Sequence, residues 1–335
     1  MEVFVVAIRT IETVAVVGAG YMGGGIAQSL ADAGIRVTLV DASPDATVAA
    51  HARLLHEAAT YEKQGLFREG AAARIEANLA IAETIEDAVR NVDFIEEAVP
   101  EIPDLKRELL TRISTTACTD AIIGTNTSTL PVHTLAPAVS NPARFLTVHF
   151  SNPAPFIPGI ELVCGEKTDP AILPVVKDMI HRAGHQAAEV ADTPGFVLNR
   201  LQYVLFKEAC AIVEEGIATT EGVDTIVRST FGFRLPFFGP FAIADMAGLD
   251  VYLNCFRTFE QAFGERLAAP DSLRALVEAG KFGTKSGEGF RGQMTPEQAQ
   301  ALVAYRNNAY GQMAKLLHEL GPAPLPVPTE EARPQ

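Results

Sequence analysis

Basic residues are scarce in this sequence: 27 lysines and arginines stand against 41 aspartates and glutamates. The net charge of -14 excludes the broad basic face that a nucleic-acid partner requires. It also obliges any anionic ligand to meet a local cluster of positive groups. Cysteine is equally sparse. Cys118, Cys164, Cys210 and Cys255 lie far apart, with neither metal-ligand nor thioredoxin-like spacing. They are expected to be reduced thiols in a cytoplasmic protein without a metal site. No apolar run is long enough to span a bilayer, so no membrane partner is expected. The apolar start, Val3 to Ile8, is followed by no small-residue cleavage site, and reads as an extra strand or an upstream extension.

What is present describes an ordinary globular protein, 48% apolar and 20% charged. At 335 residues the chain exceeds what one core usually supports, so two domains are the default. From Thr13 to about Ala191, short β-branched runs alternate with helical stretches. The runs are Thr13–Val17, Arg36–Val40, Phe94–Ala98, Ala121–Gly124, Phe145–Phe150 and Ile160–Val163. This alternation predicts an α/β domain of Rossmann type with a largely parallel sheet. Pro44 to Ala80 is too long for a simple crossover and predicts two helices projecting from the sheet. After Asp192 the strand signals vanish. Thr193-Pro194 resembles a helix N-cap with proline at the first helical position, and apolar residues recur at helical spacing up to Gly216. Thr295-Pro296-Glu297-Gln298 fits a capping box opening a last helix toward Leu320. The expected division is an NAD-binding domain over 1–192, an all-helical substrate and dimerisation domain over 193–320, and a proline-rich disordered tail over 321–335.

Gly18-Ala19-Gly20-Tyr21-Met22-Gly23 follows the first strand and opens a helix, the setting in which G-x-G-x-x-G binds a dinucleotide. Gly18 permits the tight turn, Gly20 lets a pyrophosphate approach the backbone, and Gly23 lets helix and strand pack closely. The helix N-terminus supplies N–H groups and partial positive charge. Asp41 ends the second strand, 21 residues beyond Gly20, where a carboxylate suits ribose hydroxyls and repels a 2′-phosphate. NAD is therefore the expected cofactor.

His149 and Glu161 sit on neighbouring predicted strands, joined by a turn that Pro153, Pro155 and Pro158 stiffen. The pair reads either as a general base with its orienting carboxylate or as a buried histidine satisfied by one acid.

With these pieces placed, the sequence resembles the L-3-hydroxyacyl-CoA dehydrogenase family over nearly its whole length. The matching stretches are Gly18–Ala27, Val99–Lys106, Thr125–Leu130, His149–Pro153, Thr193–Leu201 and Lys281–Phe290. The resemblance implies that His149 is the catalytic base and Glu161 its orienting partner. It places Ser128 and Asn199 near the substrate oxygen and carbonyl, with Asn152 completing the substrate contacts. It places Glu101 and Lys106 around the nicotinamide end of the cofactor, and it implies a homodimer. Each has a plainer alternative. Ser128 could cap the next segment, Asn199 could satisfy backbone, Glu101 could be a turn residue, and Lys106 could be a solvated lysine at a helix start.

The match loosens around the substrate. The resemblance implies that Pro158 replaces a basic residue common in the acyl-CoA enzymes, and that the projection is where those enzymes clasp CoA. Here Arg53, Lys63, Arg68 and Arg74 are offset by Asp45, Glu57, Glu62, Glu69 and Glu76. The expected function is an NAD-dependent 3-hydroxyacyl-CoA dehydrogenase of fatty-acid metabolism, which oxidises a secondary 3-hydroxyl to a ketone. The alternatives are the same chemistry on a non-CoA hydroxy acid or cyclic alcohol, as in carnitine, gulonate or pyridine-type relatives, and a catalytically silent NAD-binding structural protein.

Overall fold

The computed structural model describes residues 10–325. The apolar start and residues 326–335 of the expected tail lie outside the described residues, and residues 321–325 carry neither helix nor strand. The chain divides into two compact units, one ending at Leu205 and one beginning at Phe206.

Among the described residues the first unit is built on eight strands: β1 (Thr13–Val17), β2 (Arg36–Val40), β3 (Leu79–Ile81), β4 (Phe94–Glu97), β5 (Ile122–Thr125), β6 (Phe145–Phe150), β7 (Gly159–Cys164) and β8 (Gln186–Ala191). They form one sheet in the order β3-β2-β1-β4-β5-β6-β7-β8, and among these described strands the β6–β7 pairing alone is antiparallel. The expected largely parallel Rossmann-type sheet is therefore present. Continuous apolar runs such as Thr13–Val17 are explained by burial of both faces. Val14 and Val16 enter one core with Ile26 and Leu30; Ala15 and Val17 enter the other with Leu109 and Leu110.

The flanking helices that matter for the site are α1 (Tyr21–Asp32), α2 (Pro44–Lys63), α3 (Ala71–Asn78), α4 (Ile85–Val89), α5 (Pro103–Thr116), α6 (Val132–Leu135), α7 (Leu173–Arg182) and α8 (Leu198–Glu214). The expected pair of helices after Pro44 is α2 and α3. One expectation fails locally. Thr193-Pro194 does not open a helix: Gly195 and Phe196 take positive φ values of 74° and 51°, and α8 starts only at Leu198.

The second unit carries helices Thr220–Ser229, Phe231–Arg234, Pro240–Ala247, Leu249–Phe263, Asp271–Glu278 and Pro296–Leu320 around a small core of Ala244, Leu249, Leu253, Ala269 and Leu273. The last helix opens with the expected capping box between Thr295 and Gln298. The unit is not purely helical, since a short hairpin pairs Glu288–Gly289 with Gly292–Gln293. Phe233, Phe237 and Phe238 gather on Tyr310, so they serve this unit's own packing.

Candidate active site

Strand order reverses direction beside β1, whose neighbours are β2 and β4. Ligands of open α/β sheets bind outside the strand ends at such a switch point. A cavity of about 930 Å³ lies there, lined by Gly18, Gly20, Tyr21, Met22, Asp41, Glu101 and Ser128 among others. Seven residues anticipated from the sequence thus share one cavity.

The glycines are dictated by space. A Cβ on Gly18, at φ 104°, would come within 2.7 Å of the Ala98 carbonyl oxygen, and one on Gly23 within 1.8 Å of the Gly18 oxygen. Gly20 differs: nothing lies within 4 Å of its would-be Cβ. It is also the N-cap of α1, whose first turn carries no acidic residue and no side-chain cap. That end is open to an anion, as a pyrophosphate needs. The Asp41 carboxylate is already oriented, accepting from Ala19 N at 2.6 Å and Ala42 N at 2.6 Å. These residues fit a dinucleotide. The far wall, formed by Glu83, Thr84, Glu86 and Arg112, was not anticipated from the sequence. Arg112 pairs with Glu86 at 2.9 Å, and acidic side chains on loop and helix carried no recognisable signal.

Glu101 holds one rim of the cavity. One oxygen accepts from Thr127 Oγ1 at 2.6 Å, Ser128 N at 2.9 Å, Thr129 N at 3.0 Å and Thr129 Oγ1 at 3.1 Å. Burial pushes its pKa up, but these bonds and the nearby Lys106 outweigh that and hold it below the ordinary value. It is a clamp on the Ser128 turn. Lys106, expected near the cofactor, is 1% exposed and lies beneath the cavity wall, bonded to Glu97 at 2.8 Å. It is not a solvated lysine. Glu97 itself carried no signal in the sequence, because within the expected strand Phe94–Ala98 nothing separates it from Glu96.

His149 and Glu161 are registered partners across the antiparallel β6–β7 pair. His149 Nδ1 meets Glu161 Oε2 at 2.8 Å, with the two residues 5% and 8% exposed. The other Glu161 oxygen accepts from Val197 N and Leu198 N, both at 2.9 Å. Burial alone would raise the Glu161 pKa; the bonds from His149, Leu198 and Val197 more than reverse it and hold the carboxyl below its ordinary range. Glu161 is thus a fixed anion. With Nδ1 committed to it, Nε2 is the imidazole nitrogen able to exchange a proton.

Two further bonds gather the remaining candidates. Asn199 Nδ2 donates to Ser128 O at 2.9 Å, and Phe150 N donates to Asn126 Oδ1 at 2.8 Å. The second ties the Ser128 turn to the strand that carries His149. Asn152 is exposed on the turn after β6 and is not drawn into this network. Asn199 bonds backbone in this geometry, through its amide nitrogen.

Residues 13–193 match the family described as 3-hydroxyacyl-CoA dehydrogenase, NAD binding domain. Residues 195–293 match 3-hydroxyacyl-CoA dehydrogenase, C-terminal domain. The chain is 35% identical to the 5-formyl-3-hydroxy-2-methylpyridine 4-carboxylate 5-dehydrogenase of Mesorhizobium japonicum, over 88% of this chain and 95% of that one. It is 34% identical to the probable 3-hydroxybutyryl-CoA dehydrogenase of Bacillus subtilis, over 84% and 96%. It is also 34% identical to the L-carnitine dehydrogenase of Pseudomonas putida, over 90% and 92%. With an NAD-binding sheet, a buried histidine–glutamate pair and both family domains in order, the chain belongs to the 3-hydroxyacyl-CoA dehydrogenase family of NAD-dependent dehydrogenases.

Proposed function

We propose that this chain oxidises a secondary hydroxyl to a ketone with His149 as general base, on a hydroxy compound that does not carry CoA. The buried His149–Glu161 pair carries the first half of that reading. Neutral His149 takes the hydroxyl proton at Nε2; Glu161 keeps Nδ1 protonated and stabilises the imidazolium that results. Ser128 and Asn199 orient the substrate oxygen and its neighbouring carbonyl. Gly18, Gly20, Gly23 and Asp41 hold NAD, which supplies the hydride acceptor when bound. In the reverse direction the imidazolium returns the proton.

The absence of CoA is read from the helical projection. Arg53 pairs with Glu57 at 2.9 Å, and Arg68 and Arg74 converge on Asp32 at 3.4 and 2.8 Å. Three of the four cations of the projection are thereby engaged by two carboxylates, which lowers the positive charge left for a CoA phosphate. Phe156, from the turn between β6 and β7, packs edge-on against Tyr61 of α2, their ring centroids 5.4 Å apart. The turn also presses on α1, since a Cβ on Gly25 would come within 2.9 Å of Pro155 Cδ. A fatty-acyl-type CoA thioester is the second reading, supported by the likeness to a 3-hydroxybutyryl-CoA enzyme.

The experiment is a substrate panel under NADH with acetoacetyl-CoA beside free keto acids, and NAD with the matching alcohols. Turnover of free acids or alcohols, lost in His149→Gln, is expected. Fast, saturable NADH oxidation with the thioester alone gives the second reading. Tight NADH binding with no turnover anywhere in the panel returns the protein to a silent structural role.

We also infer a cytoplasmic homodimer and keep the division at residue 192 between cofactor and substrate domains. Helix α8 supports the first: none of its residues is buried, and Tyr203, Val204 and Phe206 are each over 60% exposed. Apolar surface of that extent usually meets a partner. Light scattering at the mass of one chain would remove the dimer. Among the described residues no helix is long and apolar enough to cross a membrane.

A further inference from the structure

Lys106 is an expensive residue where it stands. It lies in the first turn of α5, where the helix dipole disfavours a cation, and it is 1% exposed. Its ammonium is nevertheless fully provided for: Glu97 Oε1 at 2.8 Å, Val99 O at 3.1 Å and Glu101 Oε2 at 3.5 Å. Glu97, at 0% exposure, is satisfied just as completely. Its Oε1 also accepts from Val99 N at 2.8 Å, and its Oε2 from Thr125 Oγ1 at 2.6 Å. One buried carboxylate therefore joins the end of β4, the end of β5 and, through Lys106, the clamp residue Glu101. Apolar side chains of similar volume would fill this space at lower cost. What they would not do is fix Glu101.

We propose that Glu97 is a positioning residue for the nicotinamide half of the cofactor. Glu97 sets the place of Lys106; Lys106 sets the free oxygen of Glu101; Glu101 then presents Ser128 and its turn at the cavity rim. Val99, which lines the same cavity, is held from both sides, at N–H by Glu97 and at C=O by Lys106. The inference rests on the reading that the nicotinamide end lies beside Glu101 and Ser128. The adenosine end, at Asp41 and Thr84, touches none of this network.

The two halves can be probed separately, because ADP-ribose contains the adenosine, pyrophosphate and second ribose but lacks the nicotinamide. Binding of NADH and of ADP-ribose would be measured by fluorescence and calorimetry in the parent, Glu97→Gln and the double variant Glu97→Leu/Lys106→Met. In Glu97→Gln the lysine keeps the Val99 carbonyl and has Glu101 as its remaining anionic partner, toward which it is drawn, so NADH binding is expected to weaken about tenfold while ADP-ribose changes less than twofold. That single variant leaves an imperfectly compensated buried charge and will melt lower. The double variant removes both charges but leaves Val99 N–H and Thr125 Oγ1 without their acceptor, so it is expected to melt above Glu97→Gln without recovery of NADH binding. If NADH binding returns together with stability, the pair is merely structural and the proposal fails. Equal weakening of NADH and ADP-ribose defeats it too. A parent chain that binds NADH no better than ADP-ribose overturns the nicotinamide placement, and the inference with it. A parent preference for NADH that Glu97→Gln leaves intact overturns the inference alone.

Discussion

The ring of Phe196 lies 5.8 Å from the His149 imidazole, tilted by 58°, and it reaches that place through a backbone conformation that phenylalanine rarely adopts. Phe196 has φ 51° directly after Gly195 at φ 74°. Left-handed geometry at a bulky residue costs about 1–3 kcal/mol and persists only where its surroundings enforce it. Here the return is visible: the chain next delivers the N–H groups of Val197 and Leu198 to Glu161. Successive N–H groups of this kind form an anion-binding concavity.

Phe196→Ala is therefore expected to cost about 3–5 kcal/mol, the usual range for emptying a buried phenylalanine site. It should lower turnover as well, because the ring and the Glu161 clamp share one turn. Denaturant unfolding and kcat measured on the same preparation check both. A variant that loses stability but keeps full kcat would detach this ring from the chemistry.

Glu161→Gln keeps the shape of the clamp and removes its charge. Without the anion the imidazolium is unsupported, and kcat is expected to fall at least 100-fold, in the range general-base effects reach. Stability gives an independent reading. The Glu161 carboxyl is held below the usual 4.5, so its contribution is present above that pH and is lost as pH falls through the depressed value. The parent should lose stability more steeply than the variant as pH drops below 4.5. Parallel acid-unfolding curves would show that Glu161 is not the bound anion described.

Much of this site could be read in the residues themselves. The glycine loop, Asp41 and the facing pair His149/Glu161 announce themselves because each lies on a strand or at its end, where a continuous β-branched and apolar run marks the element. Other parts were hidden for physical reasons. The Thr193-Pro194 signature is a genuine helix-start pattern, overridden here by the positive φ values at Gly195 and Phe196. Strand β8 reads Gln186-Ala187-Ala188-Glu189-Val190-Ala191, a poor strand former that is held extended by six register contacts with β7. Glu96 and Glu97 look alike in sequence but point to opposite faces of β4. Only pairing with Lys106 distinguishes the charged one.

Glu96 is the other half of that distinction. It is 0% exposed, and neither carboxylate oxygen has a hydrogen-bond partner among the described residues. Its Oε2 occupies the space that a Cβ on Gly124 would take, at 2.4 Å. Burial, and then the neighbouring Glu97 charge, push its pKa well above the ordinary 4.5. A raised folded value stabilises below the unfolded pKa and loses that stability as pH rises through the folded one. Glu96→Gln is neutral at every pH, so it should match the parent near pH 4 and overtake it at higher pH. The slope approaches about 1.4 kcal/mol per pH unit until the folded pKa is passed. Thermal melts from pH 4 to 9 check this. A stability difference independent of pH would mean that Glu96 is not held neutral.

Asp41 makes the last case, because its geometry separates affinity from discrimination. Both its oxygens already accept backbone N–H groups of Ala19 and Ala42, so the carboxylate is fixed before any cofactor arrives. A prepositioned acceptor of this kind loses little entropy on binding ribose hydroxyls, and it repels a 2′-phosphate at close range. Asp41→Ala removes both effects and also frees the Ala19 turn. NADH binding is expected to weaken about tenfold by loss of charge-assisted hydrogen bonds. The preference for NADH over NADPH should shrink, yet not invert. Glu83 and Glu86 still line the same cavity, and Arg112 is already engaged by Glu86 at 2.9 Å, so no uncommitted cation awaits the phosphate on that wall. Dissociation constants for the two reduced cofactors, measured by fluorescence at two salt concentrations, test the argument. An inverted preference in Asp41→Ala would show that Arg112 leaves Glu86 for a phosphate more readily than its bonded geometry implies.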